Sequence, residues 1–345
     1  LGIEDPFAAF TSLNLRLGVN DYEHQEIEPN GEPATKFTNE AWELRGELTY
    51  ELQRWSGTVG VQHTDREFAA IGEEAFTPAV DTTDSGVFWV AERTFDNFDL
   101  ETGLRIGRVE HDPDNDSNKS FTTYSLSLGA VVPLGDGWQL GIVADRSSRA
   151  PISEELFSNG PHLVTNAFEV GDPTLDNESA TGLAATLSYR GDRWDATATA
   201  YYNRFSDFIY ERATGTVADD LPVFQFQQDD ADFRGLDLEA SMRIARFDGG
   251  HATLRVMFDF VDAQLDVSGN DHVPRIPPLR FGGGLAFKRG WFDASIDYLR
   301  AQRQDDAAEF ELPTDAYNDL RVYLGAEIPM NSATLGIFVN GKNLT

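Results

Sequence analysis

Cysteine is absent from the chain, which removes disulfide scaffolds, thiolate metal sites and thiol nucleophiles. Positive charge is scarce. Twenty-seven Lys and Arg stand against 58 Asp and Glu, a formal net charge of −31, and such a surface repels nucleic acid. Long apolar runs are missing too. Nothing approaches the ~20 residues of a membrane helix, mean hydropathy is −0.37, and a helical membrane protein is excluded. The opening Leu1–Phe7 has no basic segment followed by an apolar one and a small-residue cleavage site. With no further loop and strand after Gly341-Lys342-Asn343-Leu344-Thr345, the sequence is expected to be one unit, 1–345, of a longer chain cut at both ends.

What the chain has in abundance is alternation. Apolar residues recur at every second position, as in Leu13, Leu15, Leu17 and Val19, in Trp42, Leu44, Leu48, Tyr50 and Leu52, and in Leu236, Leu238, Ala240, Met242 and Ile244. This is the pattern of a strand with one greasy and one polar face. About fifteen such segments occur, most near 10 residues or more, which is long for a soluble sheet and close to the span of a tilted transmembrane strand.

Connections alternate between short and long. Tight turns fall at 53–54, 94–97, 133–137, 191–192, 247–249, 289–290 and 329–331. Polar loops fall near 21–39, 67–85, 110–120, 148–178, 209–223, 266–276 and 304–315. All tight turns then lie at one end of an up-and-down sheet and all long loops at the other, the asymmetry of outer-membrane barrels. Trp55, Trp138, Trp194 and Trp291 stand at or just after short turns, with Tyr50, Tyr189 and Phe287 just before them, as in an aromatic girdle at a bilayer boundary. The fold class expected is therefore all-β, an antiparallel transmembrane β-barrel. Its polar face lines the lumen with Arg45, Glu47, Glu101, Arg105, Asp237, Glu239, Arg255 and Asp259.

The longest loop carries a recognisable string, Arg149-Ala150-Pro151 followed by Glu155-Leu156-Phe157, then Gly171-Asp172-Pro173-Thr174-Leu175 and Asn177-Glu178-Ser179. Further on come Tyr201-Tyr202-Asn203-Arg204-Phe205-Ser206-Asp207-Phe208-Ile209, Phe233-Arg234-Gly235-Leu236-Asp237-Leu238-Glu239, Arg275-Ile276-Pro277-Pro278 and Val339-Asn340-Gly341-Lys342-Asn343-Leu344-Thr345. In this order the sequence resembles the TonB-dependent outer-membrane receptors. The resemblance implies about 15 strands of a 22-stranded barrel with the plug domain absent, an outer-membrane location in a Gram-negative cell, and no enzymatic activity. It implies import of a scarce nutrient, and partners in membrane lipid, in the TonB-ExbB-ExbD system acting through the missing plug, and in a metal or metal-chelate ligand. Ser158-Asn159-Gly160-Pro161-His162 is similar to the zinc-uptake type. A passive porin-like or structural barrel is the alternative, and a barrel-embedded hydrolase would need a Ser-His-acid cluster on the outer wall, whereas the histidines fall near loops.

No resident cofactor is expected. The site residues expected for metal capture are His162, Glu154, Glu155 and His111, since imidazole and carboxylate suit Zn²⁺, with Glu169 nearby and His24, His63 and His272 in or near other loops. Arg45, Arg105, Arg255 and Asp259 are expected to contact plug or cargo from the wall. Asp112–Asn118 has oxygen ligands at alternate positions, but Ser117 and Thr123 replace the glycine and glutamate that a complete calcium loop needs. Acidic pairs, Glu73-Glu74, Asp219-Asp220, Asp229-Asp230 and Asp305-Asp306, concentrate cations at the mouth and disfavour a strongly anionic ferric siderophore. Gly282-Gly283-Gly284 inside a strand reads as a bend or bulge.

Overall fold

A computed structural model describes residues 1–27, 33–72, 75–114, 116–163 and 165–345. The expected acidic pair Glu73-Glu74, Asn115 of the calcium-like stretch and residues 28–32 of the first loop lie outside the described residues. The wall begins with β1 (Gly2–Phe7), β2 (Phe10–Ile27), β3 (Pro33–Leu52), β4 (Trp55–Gly72), β5 (Val80–Thr94), β6 (Asp99–Pro113), β7 (Lys119–Gly135) and β8 (Trp138–Arg149). A short helix α1 (Ser153–Phe157) and two short strands, β9 (Asn159–His162) and β10 (Ala167–Val170), interrupt it. It resumes with β11 (Glu178–Arg190), β12 (Trp194–Ala218), β13 (Leu221–Phe247), β14 (Gly250–Leu265), β15 (Arg280–Arg289), β16 (Phe292–Ala301), β17 (Tyr317–Pro329) and β18 (Thr334–Gly341).

Each wall strand pairs antiparallel with the next, β8 pairing directly with β11, so β1–β8 and β11–β18 form one sixteen-stranded meander. The strand missed by periodicity is β1, six residues in which Asp5-Pro6 breaks the alternation. All seven expected tight turns lie at one end, and Ala8-Ala9 adds an eighth. Asp136 and Gly137 both take positive φ, 50° and 85°, as a two-residue hairpin turn requires. At the other end, much of what composition reads as loop is strand. β12 and β13 run 25 and 27 residues, pair along their length and are joined by the turn Asp219-Asp220, so the polar stretch 209–223 is a hairpin rising above the wall. Polarity misleads there because a strand that has left the bilayer no longer needs an apolar face.

The wall is inside-out relative to a soluble sheet. Leu17, Val19, Val61, Leu126, Leu183 and Ile296 face outward and are exposed. A contiguous apolar belt of this extent is far beyond what a soluble surface leaves uncovered and is the surface of a barrel that faces lipid. Among the described residues no helix is long and apolar enough to cross a membrane, which bears only on helices. At the turn end the outward face carries Trp138, Tyr189 and Trp194 as one cluster, with Tyr189 stacked on Trp194 at 3.9 Å. A second belt, not foreseen, sits one span away. Trp42 leans on His63 at 4.9 Å, Arg146 donates to the Tyr124 hydroxyl at 3.0 Å, and Tyr298 donates to Asn318 at 2.7 Å. His63 is thus a mid-strand residue on the outer face of β4 and not a loop residue.

The opposite face holds the charges expected to line the lumen. Arg45 bonds Glu47 at 2.8 Å and Gln62 at 3.1 Å, with its guanidinium 4.5 Å from the Phe88 ring centroid. Arg105 approaches Asp84 at 3.7 Å, Arg255 grips Asp297 at 2.7 Å, and Asp259 accepts from Arg280 at 2.8 Å. Gly284 makes room for the second of these pairs, because a Cβ there would overlap the Asp297 carboxylate. No register shift occurs along β15, so the glycine run permits close approach and not the bulge expected.

Buried apolar clusters among the described residues lie at the loop end. One joins Val80, Leu156, Phe157, Leu175 and Ile209 under α1, and a second joins Tyr210, Ala231, Ala263, Leu265 and Val273 at the root of the β12–β13 hairpin.

Candidate functional site

The long connection between β8 and β11 folds into the mouth and is tied to the wall at three points. Arg149, the last residue of β8, grips Glu155 of α1 with two bonds of 2.9 and 3.0 Å, and Glu178, the first residue of β11, with two of 3.1 Å. Both carboxylates have further donors, the Ile152 N–H on Glu155 at 2.8 Å and the Ile209 N–H on Glu178 at 2.9 Å. Burial alone would lower the Arg149 pKa, but the bonds and charges of Glu155 and Glu178 outweigh it and raise it. Arg149, Glu155 and Glu178 of the sequence string are therefore a latch, and Glu155 has both oxygens engaged.

His111 is the second tie. It is 3% exposed; its Nε2–H donates to the Pro151 carbonyl at 3.0 Å, which leaves Nδ1 to accept from the Thr82 hydroxyl at 3.0 Å. Burial pushes its pKa down, against the opposing pull of the Pro151 bond and of Glu154, so the ring is held neutral. Both nitrogens are occupied, so His111 offers no lone pair to a metal. Glu154 accepts from the Ser153 hydroxyl at 2.8 Å.

The third tie is the β9–β10 hairpin. Asn159 donates to the Phe76 carbonyl at 2.6 Å, and a Cβ at Gly160 would lie 2.8 Å from the Phe76 backbone, so only glycine lets the hairpin dock here. β10 then adds in parallel to the upper part of β13. The Ser158–His162 phrase is thus largely a docking signal, and His162 is what it presents. The imidazole stacks on Phe76 at 4.3 Å, and its Nδ1 lies 2.8 Å from the Glu169 carboxylate, which also accepts from Thr165 at 2.8 Å. Glu169 is buried, and among the described residues Nε2 of His162 makes no hydrogen bond. Phe76 packs in turn on Phe37, and Phe37 on His24 at 4.8 Å, so an aromatic and imidazole row crosses the mouth.

The four residues expected as metal ligands therefore do not form one centre. Glu155 belongs to the latch, His111 to the loop anchor, Glu154 lies beside it, and His162 stands with Glu169 in the hairpin. Among the described residues no three His, Asp or Glu side chains gather as a metal site. Sequence reading missed Phe76 and Glu178 as partners, although both charged ends of the latch lie in the family string.

The fold and mouth define a transmembrane-type barrel wall whose loop end is packed and polar. A family model described as TonB-dependent receptor-like, β-barrel, matches residues 5–344, and the chain belongs to that family. Its fold is similar to that of the copper transporter OprC, with a TM-score of 0.83 at 17% identity over 99% of this chain and 58% of that one. Similar too is the FrpB iron transporter from Neisseria meningitidis, F5-1 variant, with a TM-score of 0.75 at 14% identity over 99% and 58%. The ferric enterobactin receptor PfeA has a TM-score of 0.69 at 14% identity over 97% and 55%. The chain spans just over half the length of these proteins.

Proposed function

We propose that this barrel belongs to an outer-membrane receptor that captures a metal chelate at the loop end and imports it with TonB-derived energy, acting through a plug that the wall charges contact. The observation that carries the reading is the His162–Glu169 pair. A metal-ligating histidine characteristically gives its second N–H to a carboxylate, which fixes the tautomer and makes the other nitrogen a better ligand. With Nδ1 held by Glu169, Nε2 is the available lone pair of His162.

A single open imidazole does not hold a bare ion against water, but it completes the coordination of a metal that arrives with most of its ligands. This favours a chelate over free Zn²⁺, and the acidic mouth favours a neutral or cationic chelate over an anionic one. Copper, iron and ferric enterobactin, named for the structural neighbours, are consistent with metal cargo but do not choose among metals.

The test is calorimetric titration of the receptor in detergent with Zn²⁺, a neutral zinc chelate, a ferric siderophore and cobalamin, each with wild type and His162→Ala. The expected result is saturable binding of a chelate that the substitution weakens about tenfold, or about 1.4 kcal/mol. Binding that is indifferent to residue 162 would remove it from the site, and small-solute conductance without saturable ligand would make the barrel a porin.

A further inference from the structure

A second cleft opens beside the mouth, between the risen β12–β13 hairpin and the two connections that follow β14 and β16. Its volume is about 380 Å³, within the range of small-molecule sites. Phe208, Phe224, Phe226 and Phe310 line it, from three separate segments of chain, over a floor of buried Ile209, Tyr210 and Val273. None of the residues bonded to His162 lines it, although Phe224 of its lining pairs in register with Glu169, so the cleft adjoins the proposed metal-chelate site while its own ligand groups are different ones.

The charged groups on this aromatic lining are unequal in number. Glu211, Glu309 and Glu311 face one guanidinium, Arg275. Glu311 is committed to architecture. Its two oxygens accept the Arg275 and Ala308 backbone N–H groups, each at 3.0 Å, and so stitch the two connections across the cleft. Glu211 is different. Its side chain is 19% exposed, and among the described residues its one side-chain partner is Arg275 at 3.2 Å, which is itself 76% exposed. A half-dehydrated carboxylate is thus covered by a cation that water can pull away. Burial, with the charge of Glu169 behind it, pushes the Glu211 carboxyl up, while Arg275 and His162 pull it down. Exchanging Arg275 for another cation of better fit relieves the same carboxylate.

We infer that this cleft binds a small organic cation, an amine or quaternary ammonium carried on an aromatic or aliphatic body, with Glu211 as counter-ion and Arg275 as the place-holder it displaces. The rings supply both apolar contact and cation–π attraction. A bare metal ion does not fit, because Glu311 is spent on backbone N–H groups and no three-ligand group exists among the described residues. An anion does not fit either, because the lone guanidinium is already paired and outnumbered. The net charge of −31 raises the local concentration of cations over the whole surface.

The experiment uses three probes of similar size on the receptor in detergent, benzyltrimethylammonium, benzyl alcohol and benzoate, followed by calorimetry. Saturable binding of the ammonium alone is expected, one per chain. Glu211→Gln should weaken it tenfold or more, and Arg275→Ala should strengthen it severalfold by leaving the carboxylate free. Arg275 is exposed, so its removal tests the site even if Glu211→Gln disturbs the hairpin. Preference for benzoate, with Arg275→Ala abolishing and Glu211→Gln improving binding, would overturn the inference and make this an anion site. Binding of no probe, or ammonium binding unchanged in both variants, would overturn it outright.

Discussion

Arg149 and Glu155 meet edge to edge, two N–H groups of one guanidinium on two oxygens of one carboxylate, at 2.9 and 3.0 Å. This geometry is specific to arginine, and the same guanidinium also holds Glu178, so the end of β8, the helix in the mouth and the start of β11 share one charge centre. The Glu155 and Glu178 side chains are each only 10% exposed, and that decides the consequence of losing the arginine. Arg149→Ala strands two buried carboxylates. It should destabilise the 150–177 connection by about 2–3 kcal/mol, less than a fully buried pair because Arg149 itself is partly solvated. Arg149→Lys keeps the charge but loses the fork and should fall between. Hydrogen exchange of 150–177 is the readout; unchanged protection in the alanine variant would show that the latch is ornamental.

His111 predicts a dependence on acidity. Its folded pKa lies below the ordinary value of 6.5 because burial opposes the charged ring. Below about pH 6.5 the unfolded chain therefore takes up a proton that the folded chain resists. The contribution of His111 to stability is present above that pH and is lost as pH falls through the folded pKa. Protonation also ends the acceptance of the Thr82 hydrogen bond, at a cost of about 1 kcal/mol. Around the ring, the Glu154 carboxylate favours protonation and the Arg66 guanidinium opposes it. Thermal melting of wild type against His111→Gln, from pH 7.5 to 5, should show a steeper loss in wild type; parallel curves would count against a neutral ring.

The barrel wall was legible because alternation, turn chemistry and tryptophan placement are local properties of sequence. Leu13 to Val19 need no partner to declare one greasy face. The packing of the mouth was not legible in the same way. His111 and His162 look alike as loop histidines, yet one is a buried hydrogen-bonded anchor and the other a half-open pair with Glu169. What separates them is whether Pro151 or Glu169 comes to lie beside the ring, a contact made by chain folding back over 40 residues in one case and over seven in the other. The second aromatic belt was missed for a different reason. Trp42, Tyr124 and Tyr298 fall inside strands, with no turn next to them to mark their height.

The glycine run of β15 gives a stability prediction. A methyl group at Gly284 would overlap the carboxylate that holds Arg255, so Gly284→Ala must break or push aside that inward ion pair. At Gly283 the nearest atom is a backbone oxygen at 3.1 Å, a contact the sheet relieves by a small shift. Overpacking predicts a loss of about 1–3 kcal/mol for Gly284→Ala and less for Gly283→Ala. Heat-induced unfolding of the barrel in detergent, followed by gel mobility, would rank them; equal behaviour would mean that Arg255 and Asp297 readjust freely.

Glu169 separates a ligand histidine from a merely packed one. If His162 binds metal through Nε2, then Glu169→Gln leaves the ring stacked on Phe76 but replaces a charged acceptor at Nδ1 with a neutral amide. The ligand becomes less basic and its tautomer less fixed, and partners of this kind are worth about 10–100-fold in metal affinity. A histidine that only packs would lose nothing, since the Phe76 contact and the β9–β10 pairing are untouched. Chelate affinity should therefore fall about tenfold in Glu169→Gln, and further in His162→Ala, while the metal-free chelator binds all three proteins alike. An affinity that falls in His162→Ala but not in Glu169→Gln would place the ring against the organic part of the cargo and leave the metal to other groups.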